Sequence, residues 1–239
     1  MRVGAIIQAR MSSVRLPGKV LHPIQGKPIL QYLLESLRKV RGLDSVVVAT
    51  STEGGDKEIQ TFCQNMDTKC FLGELDNVSS RFRDVLTKYP VEAFVRINAD
   101  SPLLDYRLIE KGMTLFKEGM FDIVTNVLER TFPKGQSVEV VKSETFERNL
   151  NGFTDPEDIE HVTKYFYKNR DSFRISNFVS GGNFGAIQMS VDSKEDLTCV
   201  SSIVSKMNKP HWEYSWEELI ALYQSHQKEK EGSKVNEQN

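Results

Sequence analysis

Long apolar runs are missing from this chain. No stretch approaches the roughly 20 residues that a membrane helix needs, so no membrane partner is expected. Cysteine is scarce: Cys63, Cys70 and Cys199 are scattered without CxxC spacing. They read as small core residues, which argues against a disulfide framework and a zinc site. Neither sign of charge dominates, since 31 Lys+Arg stand against 33 Asp+Glu, a net charge of −2. That balance argues against a nucleic-acid partner held by bulk electrostatics. No basic-then-apolar signal segment opens the chain, and the expectation is a cytoplasmic protein. Glycine-rich nucleotide loops are absent as well: neither a Walker A loop nor GxGxxG occurs.

What is present suffices for a substantial core, with 39% hydrophobic residues in 239. Apolar positions alternate between two periods. Strands are predicted at Val3–Ile7, Ser45–Thr50, Lys69–Leu72, Ala93–Ile97, Asp122–Asn126, Val138–Val141 and Phe173–Val179, with a further one ending at Asp192. Helices are expected from Pro28, through Ile59–Met66 and Val78–Leu86, after the cap at Asp105, from Thr154 through His161 to Phe166, after Ser193, and after Ser215. Strands alternating with helices imply α/β architecture with a mostly parallel sheet. No linker or repeat divides residues 1–227, so one domain is expected. The polar run KEKEGSKVNEQN, residues 228–239, reads as a disordered tail.

Three stretches carry chemistry. The first is MRVGAIIQARMSSVRLPGKVL at the start, where a strand opens into a loop holding Ala9, Arg10, Ser12, Ser13, Arg15 and Lys19. Cations and hydroxyls on a backbone leaving a strand suit a polyphosphate; the plain alternative is a solvated basic loop. The second is VRINADSPLLD, in which Asp100 directly follows a strand while Asp105 is better placed to cap the next helix. The third is MSVDSKEDL, in which Ser193 is the helix cap and Asp192 lies one residue too early to share that task. The Asp100 carboxylate at a strand end suits Mg²⁺, which takes few carboxylates and keeps phosphate oxygens and waters, and Asp192, read at another strand end, suits a catalytic role.

IIQARMSSVRLPGKVL closely resembles the opening of the cytidylyltransferase family that includes the spore coat polysaccharide biosynthesis protein F group. More distantly it is similar to enzymes that activate 3-deoxy-manno-octulosonate and sialic acids as CMP-sugars. VRINADSPLLD resembles VRITADCPLID, EHVTKYFY resembles EHVTPYIY, and the GELDNVSSRFR segment resembles GxxDNVLxRF. The resemblance implies a Rossmann-like nucleotidyltransferase (glycosyltransferase-A-like) three-layer α/β/α sandwich with a mixed, mostly parallel sheet. It also implies transfer of CMP from CTP to a 2-keto-3-deoxy sugar acid, with pyrophosphate released, for surface polysaccharide or glycan synthesis.

In that frame Arg10, Ser13 and Lys19 hold the β- and γ-phosphates, with Ala9 and Ser12 beside the nucleotide, and Asp100 and Asp192 hold Mg²⁺. Arg10, Lys19, Asp100 and Asp192 are the catalytic candidates, and a homodimer is a family expectation. Arg81 is a candidate for the base or phosphate side. Asn126, Glu139 and His161 are candidates for the sugar side. Pattern alone leaves Glu139 open between a sugar contact and the outer face of its strand, and His161 between an acid–base and a packing role. Where resembling sequences read TFPDGLDVEV, this chain has Gln136–Ser137 for the Leu-Asp pair, in the sugar-facing half. A glycosyltransferase consuming a nucleotide-sugar, a transferase of another nucleotide, and a non-catalytic binding module are the alternatives.

Overall fold

The computed structural model describes residues 1–236. In chain order it runs β1 (Val3–Gln8), β2 (Pro23–Ile24), β3 (Lys27–Pro28), α1 (Ile29–Leu37), β4 (Ser45–Ser51), α2 (Lys57–Asn65), β5 (Lys69–Gly73), α3 (Val78–Lys88), β6 (Ala93–Asn98) and α4 (Tyr106–Glu118). It continues with β7 (Ile123–Thr125), β8 (Glu139–Lys142), α5 (Ser143–Asn149), α6 (Pro156–Glu160), α7 (Lys164–Lys168), β9 (Ile175–Asn177), α8 (Lys194–Ser205) and α9 (Trp216–Asn236). Seven strands form one sheet in the order β5-β4-β1-β6-β8-β7-β9. All neighbours are parallel except β8, which is antiparallel to both β6 and β7.

The layers follow from side-chain alternation along the strands. Ala5 and Ile7 of β1 and Val95 and Ile97 of β6 face one way, onto Leu30 and Leu33 of α1, Ile59 of α2 and Ile109 and Met113 of α4. Ile6, Val47 and Phe94 face the other way, onto Phe82 and Val85 of α3, Phe146 of α5 and Phe166 of α7. A third cluster joins Ile29 and Tyr32 to Val200 and Ile203 of α8 and Leu219 of α9. This is the expected α/β/α sandwich.

Four local readings differ from the sequence expectation. The helix expected to run from Thr154 to Phe166 is two short helices. Asp155 rather than Thr154 is the first cap, and the break falls at His161, Val162 and Thr163. Val162 takes φ 42, a left-handed conformation that a β-branched residue avoids, and its side chain is fully buried. No strand ends at Asp192. The preceding segment pairs only through a single bridge, Lys134 to Gln188, and Gly135 makes this approach possible. It has φ 94, and a Cβ there would lie 2.8 Å from the Met189 carbonyl carbon.

The expected strand at Phe173–Val179 is shortened to Ile175–Asn177. Finally, α9 continues to Asn236 although the polar stretch from Lys228 reads as disordered. A helix already nucleated by the reciprocal Ser215–Glu218 cap extends cheaply through Lys, Glu and Gln, and Lys206 Nζ reaches Glu229 at 2.7 Å. Residues 237–239 lie outside the described residues. Removing everything after Gln227 is expected to lower the melting temperature by no more than a few degrees, because an exposed ion pair and an exposed turn contribute little. Thermal denaturation of the truncated chain checks this; a large drop would mean that the end of α9 docks elsewhere.

Candidate active site

The first loop is anchored by hydrogen bonds, while Ser12, Val14 and Arg15 on it stay exposed. Where β1 ends, the Ala9 amide donates to the Ala49 carbonyl at 3.1 Å, and the Met11 amide donates to Asp56 Oδ1 at 2.7 Å. Asp56 is buried and also accepts from Thr50 Oγ1 at 2.9 Å and Ser51 Oγ at 2.6 Å, which ties the loop to the end of β4. The Gly18 amide closes the turn on the Met11 carbonyl at 2.8 Å. Gly18 has φ 70, and this left-handed step turns the next residue, Lys19, inward. Asp56 carries no sequence signal that separates it from any other acid ahead of a helix.

Lys19 stands between the two expected metal ligands. Its Nζ lies 2.7 Å from Asp100 Oδ2 and 2.8 Å from Asp192 Oδ1. Burial opposes its charge, but the Asp100 charge and hydrogen bonds to both carboxylates prevail and raise its pKa above the ordinary value. Burial likewise works against the Asp192 carboxylate, yet Lys19 and then Arg15 hold its pKa below the usual value. Asp192 reaches this point because the Val191 amide donates to the Asp100 carbonyl at 2.8 Å, while Ser193 caps α8 in a reciprocal box with Asp196. Arg15 adds a contact to Asp192 at 3.1 Å, and Arg10 pairs with Glu160 at 3.0 Å.

Both carboxylates thus converge on one cationic centre. Their hard oxygen donors fit a divalent ion such as Mg²⁺. Among the described residues no group of three His, Cys, Asp or Glu forms, so such an ion would take other oxygens, from phosphate or water, to complete its shell.

A cleft of about 330 Å³ opens over this centre, walled by Arg10, Ser13, Arg15 and Lys19 on one side and by Gln8, Arg96, Asn98 and His161 on the other. Ala9 contributes backbone, and Ser12 is exposed outside the wall. His161 reaches the cleft because the chain breaks between α6 and α7. Partial burial, and then the Arg96 charge, push its imidazole below the ordinary pKa.

Three expected site residues do not line this cleft. Arg81 is fully buried away from the cleft wall and donates to the Glu74 and Leu75 carbonyls, bracing the turn before α3. Asn126 is also fully buried. It donates from Nδ2 to the Gln136 carbonyl at 2.8 Å and accepts from the Val138 amide at 2.8 Å, so it clasps its own loop. Glu139 is buried on the wall of a cavity that adjoins this cleft. It stands opposite Arg96 in the β6–β8 register and accepts from Arg96 Nη1 at 2.8 Å, Thr163 Oγ1 at 2.7 Å and Tyr167 at 2.6 Å. Burial pushes its carboxyl upward, but Arg96 and the two hydroxyls together hold the pKa below the usual range. Gln8, Arg96, Asn98 and Glu160 are cleft residues that sequence reading missed; a charge among the apolar residues of β6 was the one available signal.

Comparisons with known proteins point to one family. The family described as Cytidylyltransferase matches residues 4–229. The spore coat polysaccharide biosynthesis protein SpsF of Bacillus subtilis is 29% identical over 227 residues, covering 91% of this chain and 92% of that protein. The 8-amino-3,8-dideoxy-manno-octulosonate cytidylyltransferase of Shewanella frigidimarina is 33% identical over 132 residues, covering 52% of each chain. The solved structure of a cytidylyltransferase from Leptospira borgpetersenii superposes with a TM-score of 0.90 at 26% identity, covering 95% of this chain and 96% of the other. No helix among the described residues is long and apolar enough to cross a membrane. With a match over nearly the whole chain and a site built from its first loop and two convergent carboxylates, this chain belongs to the cytidylyltransferase family.

Proposed function

We propose that the chain transfers CMP from CTP to a sugar acid of the 2-keto-3-deoxy type and releases pyrophosphate, in the service of surface polysaccharide or glycan synthesis. The observation that carries this reading is the convergence of Lys19, Asp100 and Asp192 at the rim of the parallel strands, beside a loop that presents Arg10, Ser13 and Arg15. Open α/β sheets bind ligands outside the carboxyl ends of their strands, and these residue types suit a triphosphate.

Arg10, Ser13 and Lys19 bind the β- and γ-phosphates and neutralise charge that grows on the leaving pyrophosphate. Asp100 and Asp192 are the residues that would hold Mg²⁺, which when bound supplies Lewis-acid polarisation at the α-phosphate. The acceptor hydroxyl oxygen forms the new bond to the α-phosphorus, and the bond from that phosphorus to the bridging oxygen of the β-phosphate breaks. The hydroxyl proton passes to the His161 imidazole, which lines the same cleft.

Pyrophosphate release should appear with CTP, a divalent cation and a 2-keto-3-deoxy sugar acid, and should be much weaker with UTP, GTP or ATP. A panel of the four nucleotides against several sugar acids measures this. Preference for another nucleotide would replace the cytidylyl reading while leaving nucleotidyl transfer standing.

A further inference from the structure

The chain joins the cleft wall at His161 through a strained turn. The Thr163 amide donates back to the His161 carbonyl, two residues earlier, with Val162 between them at φ 42. The Lys164 amide donates to the same carbonyl at 3.1 Å. A three-residue turn with a positive central φ is rare, and such strain persists only where the surroundings hold it. Among the described residues the His161 imidazole makes no hydrogen bond of its own, so its place in the cleft depends on this turn.

The hold lies on the buried side. Thr163 and Glu139 are both buried, and Thr163 Oγ1 lies 2.7 Å from Glu139 Oε1 and 3.2 Å from the His161 carbonyl oxygen. A threonine hydroxyl has one proton to give. Glu139 stays ionised and can only accept, so the shorter contact takes that proton. Tyr167 donates to the same oxygen at 2.6 Å, and Arg96 Nη1 donates to Oε2 at 2.8 Å. One buried carboxylate at the start of β8 therefore ties the turn to β8 and to Arg96 of β6.

We propose that Glu139 and Thr163 are positioning residues, which clamp the strained turn and so hold the His161 imidazole in the cleft. The charge-assisted bond offsets the strain at Val162. Without it, Val162 would relax toward negative φ, and the peptide planes on both sides would rotate and carry His161 away. A displacement of about 1 Å at a reacting group can cost roughly a hundredfold in rate. The inference rests on the proton-acceptor role given to His161 above, and the experiment tests that role separately.

Thr163→Val keeps the shape and removes the hydroxyl, whereas Thr163→Ser keeps the hydroxyl. Thr163→Val should lower kcat for pyrophosphate release roughly ten- to a hundredfold, with the KM for CTP within about twofold of wild type. Thr163→Ser should retain most of the turnover. Tyr167→Phe removes a donor to the same Glu139 oxygen but not the tie to the turn, so it should lower the melting temperature with kcat within about threefold. Combined with His161→Ala, Thr163→Val should slow turnover no further than His161→Ala alone.

NMR titration follows the imidazole directly in a chain with four histidines, with His161→Ala as the assignment control. Partial burial and then the Arg96 charge, with Lys164, outweigh Glu160 and Glu157 and keep the His161 pKa below the ordinary value. In Thr163→Val it should rise toward that value as the ring leaves Arg96. The acid limb of kcat, where protonation disables the acceptor as pH falls, should move up with it. An unchanged kcat and an unchanged titration in Thr163→Val, beside a lower melting temperature, would overturn the clamp. So would an equal loss in Thr163→Ser. Full turnover of His161→Ala would instead remove the proton-acceptor role, and the titration of Thr163→Val would still decide whether Glu139 and Thr163 hold the ring.

Discussion

Asp100→Asn and Asp192→Asn are each expected to remove at least about 99% of turnover, on the scale of losing a principal charge-stabilising group at a reaction centre. Asparagine keeps the shape and one acceptor oxygen while removing the negative charge that a divalent ion requires. Because both oxygens converge within 2.8 Å of one point, occupied by Lys19 Nζ, either change should disable the same centre. The double variant should therefore be scarcely worse than either single one. Stability should fall slightly, since each carboxylate helps to neutralise the partly buried Lys19. Pyrophosphate release measured against Mg²⁺ concentration in the three variants decides the matter. Full activity of either single variant at saturating Mg²⁺ would dismiss the shared site proposed above.

Lys19→Met should act on both binding and folding. For CTP it removes a charge-assisted contact of about 1.5–3 kcal/mol, hence a roughly ten- to hundredfold loss of affinity. For the nucleotide-free protein it leaves two carboxylates facing each other, with side chains only 19% and 28% exposed. Breaking a pair this well shielded costs about 1–3 kcal/mol, less than for a fully buried pair because water still reaches both acids. Adding Asp192→Asn to Lys19→Met should restore part of that stability, since the repulsion goes with the second carboxylate. Thermal unfolding of the two single variants and the double variant reads the folding effect, and calorimetry with CTP reads the binding effect. Wild-type CTP affinity in Lys19→Met would return this lysine to a purely structural role.

The order of strands and helices was legible because it depends on spacing within short windows. Periods of two and of 3.6 along the chain gave β1, β4, β6 and the faces of α1 and α4, and local side-chain chemistry gave the caps at Asp105 and Ser193. The break between α6 and α7 escaped the same reasoning. The segment EHVTKYFY has helical spacing throughout, and spacing carries no sign that the buried Val162 takes φ 42. The helical end of α9 escaped because composition records few apolar groups but not the continuation of a helix nucleated upstream.

For the site, the sequence by itself determined which groups were on offer: a loop of cations and hydroxyls after β1, an aspartate after β6 and another just ahead of a capped helix. Each can be recognised from its immediate neighbours. Only the tertiary structure decided which of them meet. Lys19 contacts Asp100 across 81 positions and Asp192 across 173, a closure made by the parallel β1–β6 register and by the Val191 amide on the Asp100 carbonyl. The same non-local pairing placed Glu139 opposite Arg96, where its charge is already matched, and it left Arg130 facing a serine. A side chain's chemistry is local, but whether its charge is already matched depends on what the fold brings to it, and that separates a ligand contact from a brace.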